Sequence, residues 1–144
     1  MKINNNLKSS KKFDIEDLLN FLAERLSIPE NVELSLFYND KLLKNLSTED
    51  VKFEALIQNP VPHKYVLFVR EDVWGLQYII CHELIHLSQM ERGDLIISSD
   101  YREVIWKGEK YTNDLLYADR EWEKEAFMLD NKLWKEYKNE DWNR

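Results

Sequence analysis

One cysteine in 144 residues rules out an intramolecular disulfide, and a reducing, cytoplasmic compartment is expected. Gly and Pro number only three each, so no Gly/Ser- or Pro-rich linker divides the chain. Long hydrophobic runs are absent too. No apolar stretch approaches the ~20 residues that span a bilayer. The opening MKINNNLKSSKK offers no apolar segment for a signal peptide, and no membrane role is expected. Basic charge is short: 20 Lys+Arg against 27 Asp+Glu leave a net charge of −7. Such a surface repels phosphate backbones, and no nucleic-acid partner is expected.

Apolar and aromatic residues are plentiful: 44% of the chain is hydrophobic, with five Trp, seven Tyr and six Phe. A chain of this length with such residues buries a core, and one domain over 1–144 is expected. Residues 1–12 read as a loose tail or a short edge strand. A helix is predicted over 15–26, with Asp14 as cap and Phe13 placed to staple onto Leu18. Alternation predicts a strand over 32–38, with a turn at Asn39-Asp40; it returns over 51–57, read as a strand or as a short helix begun at Ser47 or Thr48, before a break at residues 59–62. Residues 64–70 are apolar on both faces, as in a central strand. Residues 71–90 are predicted as a core helix, apolar around most of its circumference from Trp74 onward and ended by Gly93. Short strands at 95–97 and 103–106, a turn at Gly108 and a last helix over 119–137 complete an α+β fold.

The core helix carries His82-Glu83-Leu84-Ile85-His86, the pattern H-E-x-x-H. Residues i and i+4 stack on one helix face, so both imidazoles can grip one zinc ion. Glu83 is displaced sideways, where its carboxylate reaches the zinc-bound water and can act as general base. Two histidines in so apolar a helix each need a buried partner, and a shared metal satisfies both.

A catalytic zinc needs a third protein ligand. The metzincin continuation requires Gly at 89 and His at 92, where this chain has Gln89 and Arg92. The last helix offers Glu121, Glu123 and Glu125 instead. On a wheel of about 100° per residue with Trp122 at zero, the apolar arc runs from about −20° to about 140°. Glu123 falls inside it at about 100°, whereas Glu125 and Glu121 fall outside, near −60° and −100°. Glu123 is therefore the expected ligand, with Glu125 next.

With H-E-L-I-H followed by a helix bearing W-E-x-E-A, the chain resembles the gluzincin zinc metallopeptidases. It is most similar to the minimal, single-domain kind found in tailed phages and bacterial mobile elements. The resemblance covers roughly residues 74–133. It implies a zincin-like domain: N-terminal helix, small mixed β-sheet, central H-E-x-x-H helix, short β-hairpin and C-terminal ligand-bearing helix. In that family the third ligand stands three residues before a helix Ala, which lands on Glu123 and Ala126. The family often places Asp or Asn four residues after the ligand Glu to support a metal-binding His. Phe127 stands there in this chain, which leaves Asp119 or Asp130 as substitutes for that support, Asp119 being read rather as the helix N-cap. The family also aligns peptide substrates along an edge strand, expected here within residues 95–106.

Other candidates read as structural. His63 belongs to a loop, and Tyr111 and Tyr117 are two of many possible hydrogen-bond donors to a reacting oxygen. Cys81 is a small core filler, and Trp74, Trp122 and Trp134 are core positions. The expected activity is zinc-dependent hydrolysis of a peptide or protein substrate. The rival is a non-catalytic protein in which zinc holds the core helix to the last helix, as a structural or partner-binding component.

Overall fold

A computed structural model describes residues 1–7, 13–49, 52–98, 102–112 and 115–142. The fold is α+β, with four helices and two sheets. The first sheet contains β1 (Lys2–Asn5), β2 (Glu33–Tyr38), β3 (Ala55–Val61) and β4 (Lys64–Val69) in the order β1-β2-β4-β3. β1, β2 and β4 run parallel, and β3 is antiparallel to β4. Residues 2–5 are thus an edge strand, not a loose tail; residues 8–12 lie outside the described residues. Helix α1 (Ile15–Arg25) joins β1 to β2, and the Asp14 side chain accepts the Asp17 N–H as its cap. The expected turn at Asn39 is a helix start: its side chain accepts from Leu42 N–H and caps α2 (Asp40–Leu46).

Val51, the predicted start of the third strand, lies outside the described residues. The predicted break at 59–62 falls partly inside β3, which runs through Pro60 to Val61. Pro is tolerated there because β3 is the sheet edge, and its register with β4 slips between Gln58 and Val61. Pro62 and His63 make the turn into β4, with His63 at φ +66. One face of the sheet presents Leu34, Leu36, Ile57, Tyr65, Leu67 and Val69 to the core shared with α1, α3 (Leu76–Glu91) and α4 (Glu121–Trp142).

Helix α3 begins at Leu76, five residues later than expected, because the preceding segment is committed to loop contacts. Glu71 N–H donates to Asp40 Oδ1 at 2.8 Å, and the Arg70 guanidinium grips Asp72. Gly75 then takes φ +74, which a side chain disfavours. Trp74 is consequently 89% exposed and is not a core residue. At the other end Gly93 N–H bonds Met90 O and Asp94 N–H bonds Gln89 O, a Schellman closure.

The second sheet is β5 (Leu95–Ile97), β6 (Glu103–Trp106) and β7 (Glu109–Thr112), a meander with one strand more than a hairpin. Leu95, Trp106 and Trp122 form a small separate core beneath it. A 3-10 turn (Tyr117–Asp119) leads into α4, so Asp119 is not the cap; the Arg120 carbonyl accepts the first helical N–H groups. On α4, Ala126, Leu133, Trp134 and Tyr137 are buried, with Trp134 against Phe13, Tyr78 and Tyr137. Among the described residues, no helix is long and apolar enough to cross a membrane.

Candidate metal centre

The packing of α4 along α3 brings Glu123 onto the two histidines of the H-E-x-x-H pattern. His82 Nε2 and His86 Nε2 lie 3.2 Å apart. Glu123 Oε2 is 3.5 Å from His82 Nε2, and Glu123 Oε1 is bonded to His86 Nε2. One donor atom from each residue falls within 4.8 Å of the others. Four ligands at the ~2.0–2.1 Å bond lengths of zinc, placed at tetrahedral corners, lie about 3.3 Å from one another. The 3.2 and 3.5 Å separations match that spacing, and the residue types are those zinc takes. The donor set fits a metal ion.

Each imidazole is held from behind. His82 Nδ1 donates to Asp130 Oδ2 at 3.2 Å. His86 Nδ1 meets Gln89 Oε1 at 2.7 Å. The hydroxyl of Tyr117 donates to Glu123 Oε2. Charge follows this geometry. Burial is the largest single influence on His86 and pulls its pKa down, but the bond to Glu123, the charges of Glu123 and Glu83 and the bond to Gln89 together outweigh it and the value rises to about 9. Against burial, His82 is raised by the same two carboxylates. Burial works to raise Glu123, yet its bonds to the two imidazoles hold the carboxyl well below the usual range. Glu83 is pushed up by burial, against the pull of His86 and His82. A carboxyl raised in this way is a stronger base than one in water.

The other sequence candidates are engaged elsewhere. Glu125 accepts from Arg92 at 2.6 Å and Glu121 from Lys124 at 3.2 Å. His63 Nδ1 donates to Glu91 Oε1 at 2.6 Å, and Tyr65 donates to the other oxygen of Glu91. Tyr111 donates to Glu109, away from the cluster. Cys81 is buried, and burial pushes its thiol up to about 12, which leaves it inert. Phe127, placed by the wheel at the edge of the apolar arc, is 54% exposed; its ring lies 4.7 Å from that of His82.

One contributor, Gln89, is not singled out by the sequence; the Tyr117 hydroxyl is named there only among many possible donors to a reacting oxygen, and Asp130 only as a substitute support for a metal-binding His. For Asp130 a signal exists. It lies seven residues beyond Glu123, and the same wheel puts it near 80°, inside the apolar arc.

A groove of about 440 Å³ opens beside α3, lined by residues 57–60 of β3, Met90, and residues 95–98 around β5. None of the three candidate ligands lines it; Met90, one turn beyond His86, does. Comparison of the chain with models of known protein families, with curated proteins and with solved structures finds no match.

Proposed function

We propose that this chain is a zinc-dependent peptidase of the gluzincin kind, acting on a peptide or protein substrate. His82, His86 and Glu123 hold the metal, and Glu83 is the general base. The observation that carries the reading is the donor set, gathered from two helices with the raised carboxyl of Glu83 close enough to feel all three partners. Structural zinc is closed by four protein ligands, whereas the three found among the described residues leave a position for water and substrate. When bound, zinc supplies Lewis acidity to a water molecule and to the substrate carbonyl. Glu83 takes a proton from the attacking water as its oxygen adds to the carbonyl carbon. The C–N bond then breaks as Glu83 returns the proton to the leaving amine. Acid and amine are the products.

The groove supports an extended substrate. β3 and β5 are edge strands of their sheets, and both line it. A peptide in that groove can add main-chain hydrogen bonds to an edge strand. β5 also falls within residues 95–106, where the resemblance puts the substrate-aligning strand.

The decisive measurement is zinc per chain in wild type and Glu123→Ala, followed by peptide cleavage in wild type and Glu83→Gln. One zinc in wild type, its loss in Glu123→Ala, and cleavage reduced about 10²- to 10⁴-fold in zinc-loaded Glu83→Gln are expected. The ligands come from α3 and α4, so a metal there also braces two helices. One zinc, no cleavage and unfolding on chelation would replace the peptidase by a zinc-stabilised binding protein.

A further inference from the structure

We infer that Gln89 is a positioning residue of the metal centre: it fixes the tautomer of His86 and is itself fixed by α4. The assignment rests on the metal centre proposed above, not on the peptidase reading. An amide nitrogen only donates and an amide oxygen only accepts. Gln89 Nε2 faces two acceptors, Trp122 O at 3.0 Å and Glu125 Oε1 at 3.2 Å. The amide is therefore oriented, and its Oε1 is the atom turned to His86 Nδ1 at 2.7 Å. An acceptor there requires Nδ1 to carry the proton. Nε2 of His86, on the side of Glu123, is then the nitrogen with a lone pair to give. Gln89 is fully buried, so no water substitutes for it.

The support is anchored at its far end as well. Glu125 Oε1 also accepts from Arg92 at 2.6 Å, and Arg92 donates to Asp94 at 2.6 Å, in the turn that closes α3. Glu125, outside the metal cluster, thus belongs to the frame that orients one of its ligands. The two histidines differ in their support: His82 has a carboxylate, Asp130, and His86 has a neutral amide. An amide at 89 supplies the acceptor without adding a further carboxylate to a site that already holds Glu83, Glu123 and Asp130.

Gln89 also ties α3 to α4, and a purely structural tie makes a different prediction. The test uses full-length wild type, Gln89→Leu, Gln89→Glu and Glu125→Ala, with zinc titrated against a chromophoric chelator. Thermal unfolding of each chelated protein is measured alongside. Gln89→Leu is expected to lose about 10- to 100-fold in zinc affinity, as removal of a group that orients a ligand does. Gln89→Glu keeps the acceptor for Nδ1–H but loses the donors to Trp122 O and faces Glu125. It should hold zinc as tightly as wild type or tighter while its chelated form melts lower. Glu125→Ala removes one of the two acceptors of Gln89 Nε2 but leaves Trp122 O, and should lose far less zinc affinity than Gln89→Leu. Wild-type affinity in Gln89→Leu overturns the assignment, as does equal loss in Gln89→Glu or in Glu125→Ala. Should Gln89→Leu fail to fold, Gln89→Glu decides alone, because a tie would lose affinity and stability together. A wild type that takes up no zinc overturns the centre and this assignment with it. A zinc-loaded wild type that cleaves no peptide overturns the peptidase reading only.

Discussion

Asp130 Oδ2 stands 3.2 Å from His82 Nδ1, two helical turns beyond Glu123 on the same stripe of α4. One helix thus supplies both a candidate ligand and the group that orients another. Both carboxylates are buried, and the spacing of seven residues is what brings them to the same side.

Asp130→Asn is expected to weaken zinc binding by about 10- to 100-fold with the fold retained. The amide can still accept from Nδ1 but carries no charge to strengthen the imidazole as a donor. Competition with a chelator of known affinity measures the effect, and unchanged affinity would leave Asp130 a structural acid.

Metal-free protein should lose stability as pH rises from 6.5 to 9. His86 has its folded pKa raised from 6.5 to about 9. Its stabilising contribution is complete below 6.5 and gone once pH passes 9. His82 and Glu83 are raised too and act in the same direction. Zinc binding requires the imidazoles to shed their protons, so zinc affinity rises across the same window. Melting curves of chelated and zinc-loaded protein at pH 6.5, 7.5 and 9 should therefore diverge as pH climbs. Parallel curves would contradict the coupling.

His63→Ala should retain one zinc per chain and cost about 1 kcal/mol of stability, the worth of a charge-assisted bond screened by solvent. The imidazole holds Glu91 from the turn between β3 and β4, and the backbone at φ +66 is unfavourable for Ala. Elemental analysis and denaturant unfolding give the two numbers. Loss of zinc would make His63 a candidate ligand.

The parts of this site that were legible in the sequence are those whose geometry lies within one helix. His82, Glu83 and His86 are set by helical repeat alone. Glu123 separates from Glu121 and Glu125 because an apolar arc identifies which face of α4 is turned inward. What one helix cannot show is what stands opposite it. The roles of Gln89 and Tyr117 depend on which atoms of α4 face α3 and on the turn before α4. Trp74 was read as core from its apolar character, but Gly75 and the contacts of Arg70 and Glu71 hold it outside the helix. Pro60 read as a break because only the sheet order reveals that its strand is an edge.

The cluster of Leu95, Trp106 and Trp122 bears on how fast a bound metal leaves. Trp122, the residue before Glu123, belongs to this satellite core and not to the main one. Detaching the three-stranded sheet exposes far less apolar surface than global unfolding, and such sub-global openings are correspondingly more frequent. Each opening loosens the start of α4 while His82 and His86 stay on an intact helix. The carboxylate arm of the candidate centre thus sits on a segment outside the main core, and exchange of a metal held there is expected to run faster than global unfolding.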